Sequence, residues 1–204
     1  MSESRSRHPL ADALKVAAAA LRDARVEFML GGSLAAWARG GPWPENDLDL
    51  IVRPRDAEAA LAALAAAGMR TERPPEEWLF KAWRDELMVD LIFHPSGLEI
   101  TDEVFSRADP MPVLAVEMPV MALEDVLVAK LHALREHELD LCSLLGIARA
   151  LREQIDWPRL RARASTPYAK AFFTLVQELG VAPGAKPQVA EPERDRVRVM
   201  TQGA

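Results

Sequence analysis

The order of hydrophobic and polar positions predicts alternating helices and strands in the first 120 residues. Alanine- and leucine-rich stretches with helical spacing predict helices over residues 9–25, 34–39 and 55–67. Short apolar or alternating stretches predict strands over residues 26–30, 47–52, 77–83 and 87–93, and over 111–121 as one strand or as a pair broken at a proline. This mixture predicts an α+β fold in which flanking helices cover a small mixed β-sheet.

After about residue 120 the pattern becomes purely helical. Helical spacing without intervening strand signals covers residues 122–135, 138–153 and 167–179. Beyond Gly180, proline, glycine and alternating charges predict a flexible tail. We therefore predict three parts: a mixed-sheet core over 1–120, a helical C-terminal subdomain over 121–180 and the tail over 181–204.

Composition narrows the class of protein. The 204 residues are 50% hydrophobic and 27% charged, as in ordinary folded proteins. A net charge of −6 argues against a generic nucleic-acid binder, although it permits a local basic groove. The lone cysteine, Cys142, excludes an internal disulfide. No apolar run is long enough for a membrane span, and the charged N-terminal stretch does not fit a signal peptide, so we expect a cytoplasmic protein without a membrane partner.

Two aspartates at the start of a predicted strand are the first candidate for chemistry. Asp47 and Asp49 alternate with Leu48 and Leu50. Because successive side chains of a strand point to opposite faces, both carboxylates lie on one face, where they repel each other unless a cation lies between them. One or two carboxylates together with substrate phosphates commonly hold Mg²⁺. The spacing therefore predicts a magnesium site.

A third carboxylate stands in a matching context. Asp90 is the only charge in the β-prone stretch 88–93. If that strand lies beside the strand of Asp47 and Asp49, the three carboxylates converge. Such an arrangement suits phosphoryl transfer with two bound metal ions, for which we expect Mg²⁺, with Mn²⁺ as the alternative. We predict that Asp47, Asp49 and Asp90 are catalytic residues and metal ligands, with Asp90 also a candidate general base for an acceptor hydroxyl.

A glycine turn precedes the aspartates. Gly31 and Gly32 allow a ligand close to the backbone, and Ser33 adds a hydroxyl donor at the start of a predicted helix, whose N–H groups favour phosphate. Taken alone, this motif is as often a plain turn, and aspartates at a strand start are often a solvated edge. The joint order of strand, glycine turn, helix, aspartate pair and aspartate strand favours the functional interpretation.

These motifs together resemble the signature of the polymerase-β-like nucleotidyltransferase superfamily. The resemblance covers roughly residues 26–95 and rests on Gly31-Gly32-Ser33, Asp47-x-Asp49 and the distal Asp90. It implies that the glycine–serine turn binds the phosphates of an NTP and that the aspartates hold Mg²⁺. It also implies transfer of a nucleotidyl group to an acceptor such as a hydroxyl, with release of pyrophosphate.

The helical half is similar to the AbiEii-type nucleotidyltransferase toxins of type IV toxin–antitoxin systems. The similarity rests on the stretch 123–135 and on Leu139-Asp140-Leu141. It implies that Lys130 and Asp140 complete the nucleotide site, that the 3′ end of tRNA is the acceptor, and that a cognate antitoxin is a partner. On pattern alone, Lys130 either extends toward an anionic ligand or reaches past the apolar stripe to solvent.

Other interpretations stay open at the level of sequence. The acceptor could instead be a small molecule, an aminoglycoside or lincosamide antibiotic, or the chain could be a catalytically silent binding protein of the same fold. A basic stretch of five arginines is either a solvated helix face or an RNA-binding track; its members are Arg149, Arg152, Arg159, Arg161 and Arg163. Trp43, in a Gly-Pro loop before the aspartates, is a candidate for stacking on a base.

Overall fold

The computed structural model describes residues 3–44, 48–135 and 138–183. Eight α-helices are found in these ranges: α1 (Glu3–Asp23), α2 (Gly32–Ala38), α3 (Ala57–Ala66), α4 (Asp102–Ser106), α5 (Leu123–Ala133), α6 (Leu141–Ala150), α7 (Trp157–Arg163) and α8 (Pro167–Glu178). A single 3-10 turn, Pro54–Asp56, leads into α3. The strands there are β1 (Phe28–Leu30), β2 (Leu48–Val52), β3 (Arg70–Glu72), β4 (Leu79–Arg84), β5 (Leu87–Ile92), β6 (Asp109–Val113) and β7 (Val116–Val120).

All seven strands form one mixed sheet in the order β3-β4-β5-β2-β1-β7-β6. The pairs β2–β5 and β1–β7 are parallel, and the other neighbouring pairs are antiparallel. The parallel pairing brings together two strands that are far apart in sequence, with helix α3 and the β3–β4 hairpin between them. This architecture confirms the predicted α+β fold with a mixed sheet and flanking helices.

The hydrophobic pattern explains where the helices pack. Leu48 and Leu50 of β2 are 1% and 0% exposed and join a core cluster with α1 and α3. A second cluster is formed by the apolar faces of α5, α6, α7 and α8, and Ala36 of α2 belongs to it. Helices α2 and α5 are in contact, so the second cluster adjoins the sheet rather than standing apart from it. The division into domains at residue 120 stays a prediction.

A buried ion network fixes α5 against its neighbours. Asp125 on α5 is 0% exposed. Arg107, just after α4, donates to both of its carboxylate oxygens, at 3.0 and 3.2 Å, and Arg163 at the end of α7 donates to one of them. Because Asp125 is shielded from water, these two guanidinium groups supply the compensation that its charge needs.

Some elements differ from the sequence-based expectation. The segment 111–121 forms a pair of strands, which was one of the two predicted alternatives. The turn between them was predicted at a proline, but it lies at Leu114 and Ala115, whose φ angles are +48° and +66°. Three short elements, β3, α4 and α7, were not predicted. Most of the predicted tail, residues 184–204, lies outside the described residues. In the described ranges no helix combines the length and apolarity needed to cross a membrane.

Candidate active site

Two of the predicted catalytic aspartates are direct neighbours across the central parallel pair of strands. Asp49 on β2 and Asp90 on β5 are register partners. Neighbouring strands are about 4.8 Å apart, and paired residues present their side chains on the same face of the sheet. Two carboxylates about 5 Å apart repel each other by roughly 3 kcal/mol at an effective dielectric constant of about 20. This pairing therefore creates a position that favours a cation.

The glycine turn lies directly against the first of these carboxylates. Gly31 precedes α2, and its N–H donates to the backbone oxygen of Asp49 at 2.8 Å. Gly32 has a φ of +57°, and a Cβ atom there would lie 1.6 Å from Oδ2 of Asp49. The carboxylate thus occupies space that any side chain at position 32 would fill. Ser33 follows in the first turn of α2 and is half-buried.

An open cavity of about 470 Å³ joins this turn to the helical half. Gly32 and Asp49 line it on the sheet side, and Lys130 on α5 and Asp140 before α6 line it on the helical side. Sites for small molecules and cofactors commonly have volumes of about 300–1,000 Å³. Four of the residues that the sequence predicted for the site therefore face one space of suitable size.

Lys130 and Asp140 have different surroundings within the cavity. Lys130 is half-buried, and no hydrogen bond or ion pair joins its ammonium group to another described residue. Asp140 is exposed and caps α6, since its Oδ1 accepts a hydrogen bond from the backbone N–H of Ser143 at 3.1 Å. Lys130 is therefore well placed to bind an anionic ligand in the cavity. The hydrogen bond to Ser143 holds the Asp140 carboxylate in position at the start of α6.

The third predicted carboxylate, Asp47, lies outside the described residues, so its position stays a prediction. Over residues 3–44, 48–135 and 138–183, no cluster of three or more histidine, cysteine, aspartate or glutamate side chains could hold a metal. The described donor set is the pair Asp49 and Asp90 beside the bare backbone of Gly32. Two hard oxygen donors with open space next to them fit Mg²⁺, which usually completes its coordination with water and substrate phosphates.

Two residues near the site were not predicted from the sequence. Lys81 on β4 is the register partner of Asp90 on the side opposite to Asp49, which places a cationic side chain beside the carboxylate pair. Trp78 lines the cavity and is 43% exposed. By contrast Trp43 packs edge-on against Trp37, with ring centroids 4.9 Å apart, and is not among the described residues of the cavity wall.

Most of the basic stretch is engaged within the protein. Arg159 forms an ion pair with Glu124 at 3.1 Å, and Arg163 is part of the Asp125 network. Arg152 pairs with the neighbouring Glu153 at 3.1 Å, and the guanidinium group of Arg161 lies 5.6 Å from the ring centroid of Phe173. Arg163 is thus held by a buried carboxylate, whereas the ion pairs of Arg152 and Arg159 are exposed and weak, so the structure removes Arg163 from a possible RNA-binding track.

A family model described as an uncharacterised nucleotidyltransferase matches residues 31–179, which is more than half of the chain. The match begins at the glycine turn and extends through α8. The chain belongs to this nucleotidyltransferase family. Membership confirms the resemblance at the superfamily level and the expectation of an NTP-dependent transferase. No curated protein sequence matches the chain significantly.

Solved structures of other nucleotidyltransferases share the fold of this family member. The solution structure of the antibiotic-resistance factor ANT(2'')-Ia superposes with a TM-score of 0.60 at 13% identity, covering 88% of this chain and 97% of that one. The crystal structure of ANT(2'')-Ia with adenylyl-2''-tobramycin gives 0.58 at 14% identity, covering 81% and 97%. An antigenic nucleotidyltransferase-like protein from Paracoccidioides brasiliensis gives 0.51 at 12% identity, covering 87% and 94%. At these identities the similarity establishes the fold.

Proposed function

We propose that this nucleotidyltransferase moves a nucleotidyl group from an NTP to an acceptor hydroxyl in a Mg²⁺-dependent reaction. The observation that carries the proposal is the pairing of Asp49 with Asp90 across β2 and β5, with the Asp49 carboxylate against the bare backbone of Gly32. This arrangement concentrates negative charge beside a cavity large enough for a nucleotide. The family match and the shared fold support the same reaction class.

In the proposed reaction the acceptor oxygen attacks the α-phosphorus, and the bond from that phosphorus to the pyrophosphate oxygen breaks. Mg²⁺ bound by Asp49 and Asp90 would offset the charge of the phosphates and make the acceptor hydroxyl easier to deprotonate. Asp90 accepts the proton of the hydroxyl on a carboxylate oxygen. Asp47 is the proposed third ligand, which would allow a second ion, and Mn²⁺ is the alternative metal.

The remaining predicted residues are assigned to the nucleotide. Ser33 donates its hydroxyl to a phosphate oxygen, and the backbone at Gly31 and Gly32 approaches the phosphates without a side chain in between. Lys130 reaches the phosphate chain from α5 across the cavity, because a cation with no ionic partner among the described residues favours an anionic ligand. Oδ1 of Asp140 caps α6, and its other carboxylate oxygen, Oδ2, accepts a hydrogen bond from the nucleoside.

The sequence resemblance of residues 123–141 supports the 3′ end of tRNA as the proposed acceptor, with a toxin role in the cytoplasm and a cognate antitoxin as partner. A small-molecule hydroxyl is the second candidate. It is favoured by the binding of Arg163 to the buried Asp125, because an RNA track needs cations that are available to phosphates. Structural neighbours that act in antibiotic resistance provide further support for this candidate.

The test is transfer of label from each α-³²P-labelled NTP in the presence of Mg²⁺, with total tRNA in one series and a panel of aminoglycosides and lincosamides in the other. We expect label on one acceptor class and its loss in Asp49→Asn and Asp90→Asn. The matched control is Asp85→Asn, which changes an exposed aspartate in the β4–β5 turn and should transfer normally. Transfer that survives in Asp49→Asn would contradict the proposed metal site. NTP binding without transfer to either class would instead favour a silent binding protein.

A further inference from the structure

The cavity wall contains an aromatic surface that the proposed chemistry does not use. Trp78 lines the cavity and is 43% exposed, whereas most large hydrophobic side chains of the described chain are buried. A single exposed hydrophobic side chain is ordinary, but Trp78 stands in a cavity wall with apolar neighbours such as Ile92 and Pro95, and an apolar patch beside polar groups is typical of a ligand site. Among the described residues that line the cavity, Trp78 contributes the sole aromatic ring.

The backbone of this tryptophan is anchored although its ring is exposed. The carbonyl of Trp78 accepts hydrogen bonds from the N–H groups of Phe93 and His94, both at 3.1 Å. These bonds tie the residue before β4 to the end of β5, the strand that carries Asp90. The point at which the indole leaves the cavity wall is therefore set by the same strand that positions the Asp90 carboxylate.

The register places Trp78 at a suitable separation from the reacting centre. Leu79 pairs with Ile92, two residues after Asp90, and Trp78 lies one residue further out. At about 3.3 Å per residue, this position is roughly 10 Å from Asp90 along the strand. That separation is comparable to the extent of a nucleoside from its 5′ oxygen to the far edge of its base.

We infer that Trp78 stacks on the nucleobase of the NTP whose α-phosphate lies at Asp49 and Asp90. The inference rests on the proposed function, and it assigns the apolar end of the same cavity to the nucleobase. Stacking on an indole tolerates any base, because every base has a π-face, so Trp78 provides affinity for the nucleoside without selecting among the four NTPs. Ile92 and Pro95 line the cavity beside it and continue the apolar surface.

The experiment is isothermal titration of the full chain with each of the four NTPs and, separately, with tripolyphosphate, all with Mg²⁺. We expect Trp78→Ala to bind every NTP about 10- to 100-fold more weakly and tripolyphosphate unchanged, because tripolyphosphate has no base to stack. Trp78→Phe should retain most of the NTP affinity. The matched control is Trp83→Ala within β4, because the guanidinium group of Arg70 lies 3.8 Å from the centroid of the Trp83 ring and Trp83 is not among the described residues that line the cavity.

Each contrary outcome overturns a defined part of the assignment. Wild-type NTP affinity in Trp78→Ala would contradict stacking on the base. Unchanged NTP affinity with a raised KM for the acceptor would place the ring on the acceptor side and also overturn it. An equal loss of NTP and tripolyphosphate binding would show that the indole only supports the shape of the site. If the unmodified protein binds no NTP, the proposed function itself fails, and the stacking assignment fails with it.

Discussion

The carboxylate of Asp49 occupies the position that a side chain on Gly32 would need. A Cβ atom at Gly32 would lie 1.6 Å from Oδ2 and 2.6 Å from Cγ of Asp49. The orientation of Asp49, a proposed metal ligand, therefore depends on position 32 being a glycine. The left-handed φ of +57° at Gly32 makes glycine favourable there for a second, independent reason.

Replacing Gly32 should inactivate the enzyme more than it destabilises the fold. In Gly32→Ala the new methyl group displaces the Asp49 carboxylate, and we expect transfer to fall at least about 100-fold, because a displaced ligand loses its alignment with the reacting phosphate. Left-handed strain alone should cost about 1–2 kcal/mol of unfolding free energy. Transfer rates and urea denaturation measure the two effects.

Gly68→Ala is the matched control for this change. Gly68 also has a positive φ, +81°, but no atom lies within 4 Å of the position of its Cβ. It should therefore show a similar loss of stability and normal transfer. If Gly32→Ala retained the activity of Gly68→Ala, the close contact with Asp49 would have no role in catalysis.

Charge repulsion at the aspartate pair should make stability depend on magnesium. We expect the melting temperature of the unmodified protein to rise on addition of Mg²⁺, because binding to the folded state stabilises it by mass action. Without Mg²⁺, Asp49→Asn should be about as stable as the unmodified protein, since the loss of one of two neighbouring charges relieves a repulsion that Lys81 beside Asp90 already offsets in part. Its melting temperature should not respond to Mg²⁺, and differential scanning calorimetry tests both statements. A normal Mg²⁺ response in this variant would refute the assignment.

Lys130 should contribute to NTP affinity through its charge. We expect Lys130→Ala to weaken NTP binding about 10- to 100-fold, the equivalent of about 1.5–3 kcal/mol for a hydrogen bond to a charged group. The loss should shrink at high salt, where the interaction is screened. Lys170→Ala, which changes an exposed lysine on α8, is the control and should bind normally. Equal affinities of the two variants in titration calorimetry would indicate that Lys130 only reaches solvent.

The buried network at Asp125 should dominate the stability of the helical half. Asp125→Asn leaves the guanidinium groups of Arg107 and Arg163 without their anionic partner, and we expect it to lower the free energy of unfolding by about 3 kcal/mol. Glu103→Gln removes an exposed partner of the same Arg107 and should change stability by at most about 1 kcal/mol. Equal effects of the two variants in urea denaturation would show that burial of Asp125 adds nothing.

The central part of the site could be predicted because its signals are local and periodic. Alternation in β2 assigned Asp49 to one face and its leucines to the core, and the isolated charge in β5 identified Asp90. The adjacency of the two strands was a hypothesis at that stage, because sequence alone does not define strand order. Parallel pairing then brought the two aspartates into register.

The remaining features depend on tertiary contacts that leave weak local signals. Trp78 is 43% exposed at the cavity wall, whereas Trp43 is half-buried against the ring of Trp37. The sequence around the two tryptophans does not distinguish these surroundings. Lys81 becomes relevant only through its register with Asp90. Helix α7 was missed although it had a readable signal, an aspartate cap at Asp156 followed by a proline in the first turn.

The pairing of β2 with β5 also has a consequence for the order of events during folding. The chain between the two strands contains α3 and the β3–β4 hairpin, so their pairing closes a long loop. Closing such a long loop costs entropy before any contact repays it, so contacts of this kind form late in comparison with local ones. A chain still emerging from the ribosome can form α1, the glycine turn and β2 before Asp90 has been synthesised. Nucleotidyl transfer therefore begins only once the centre of the sheet has closed.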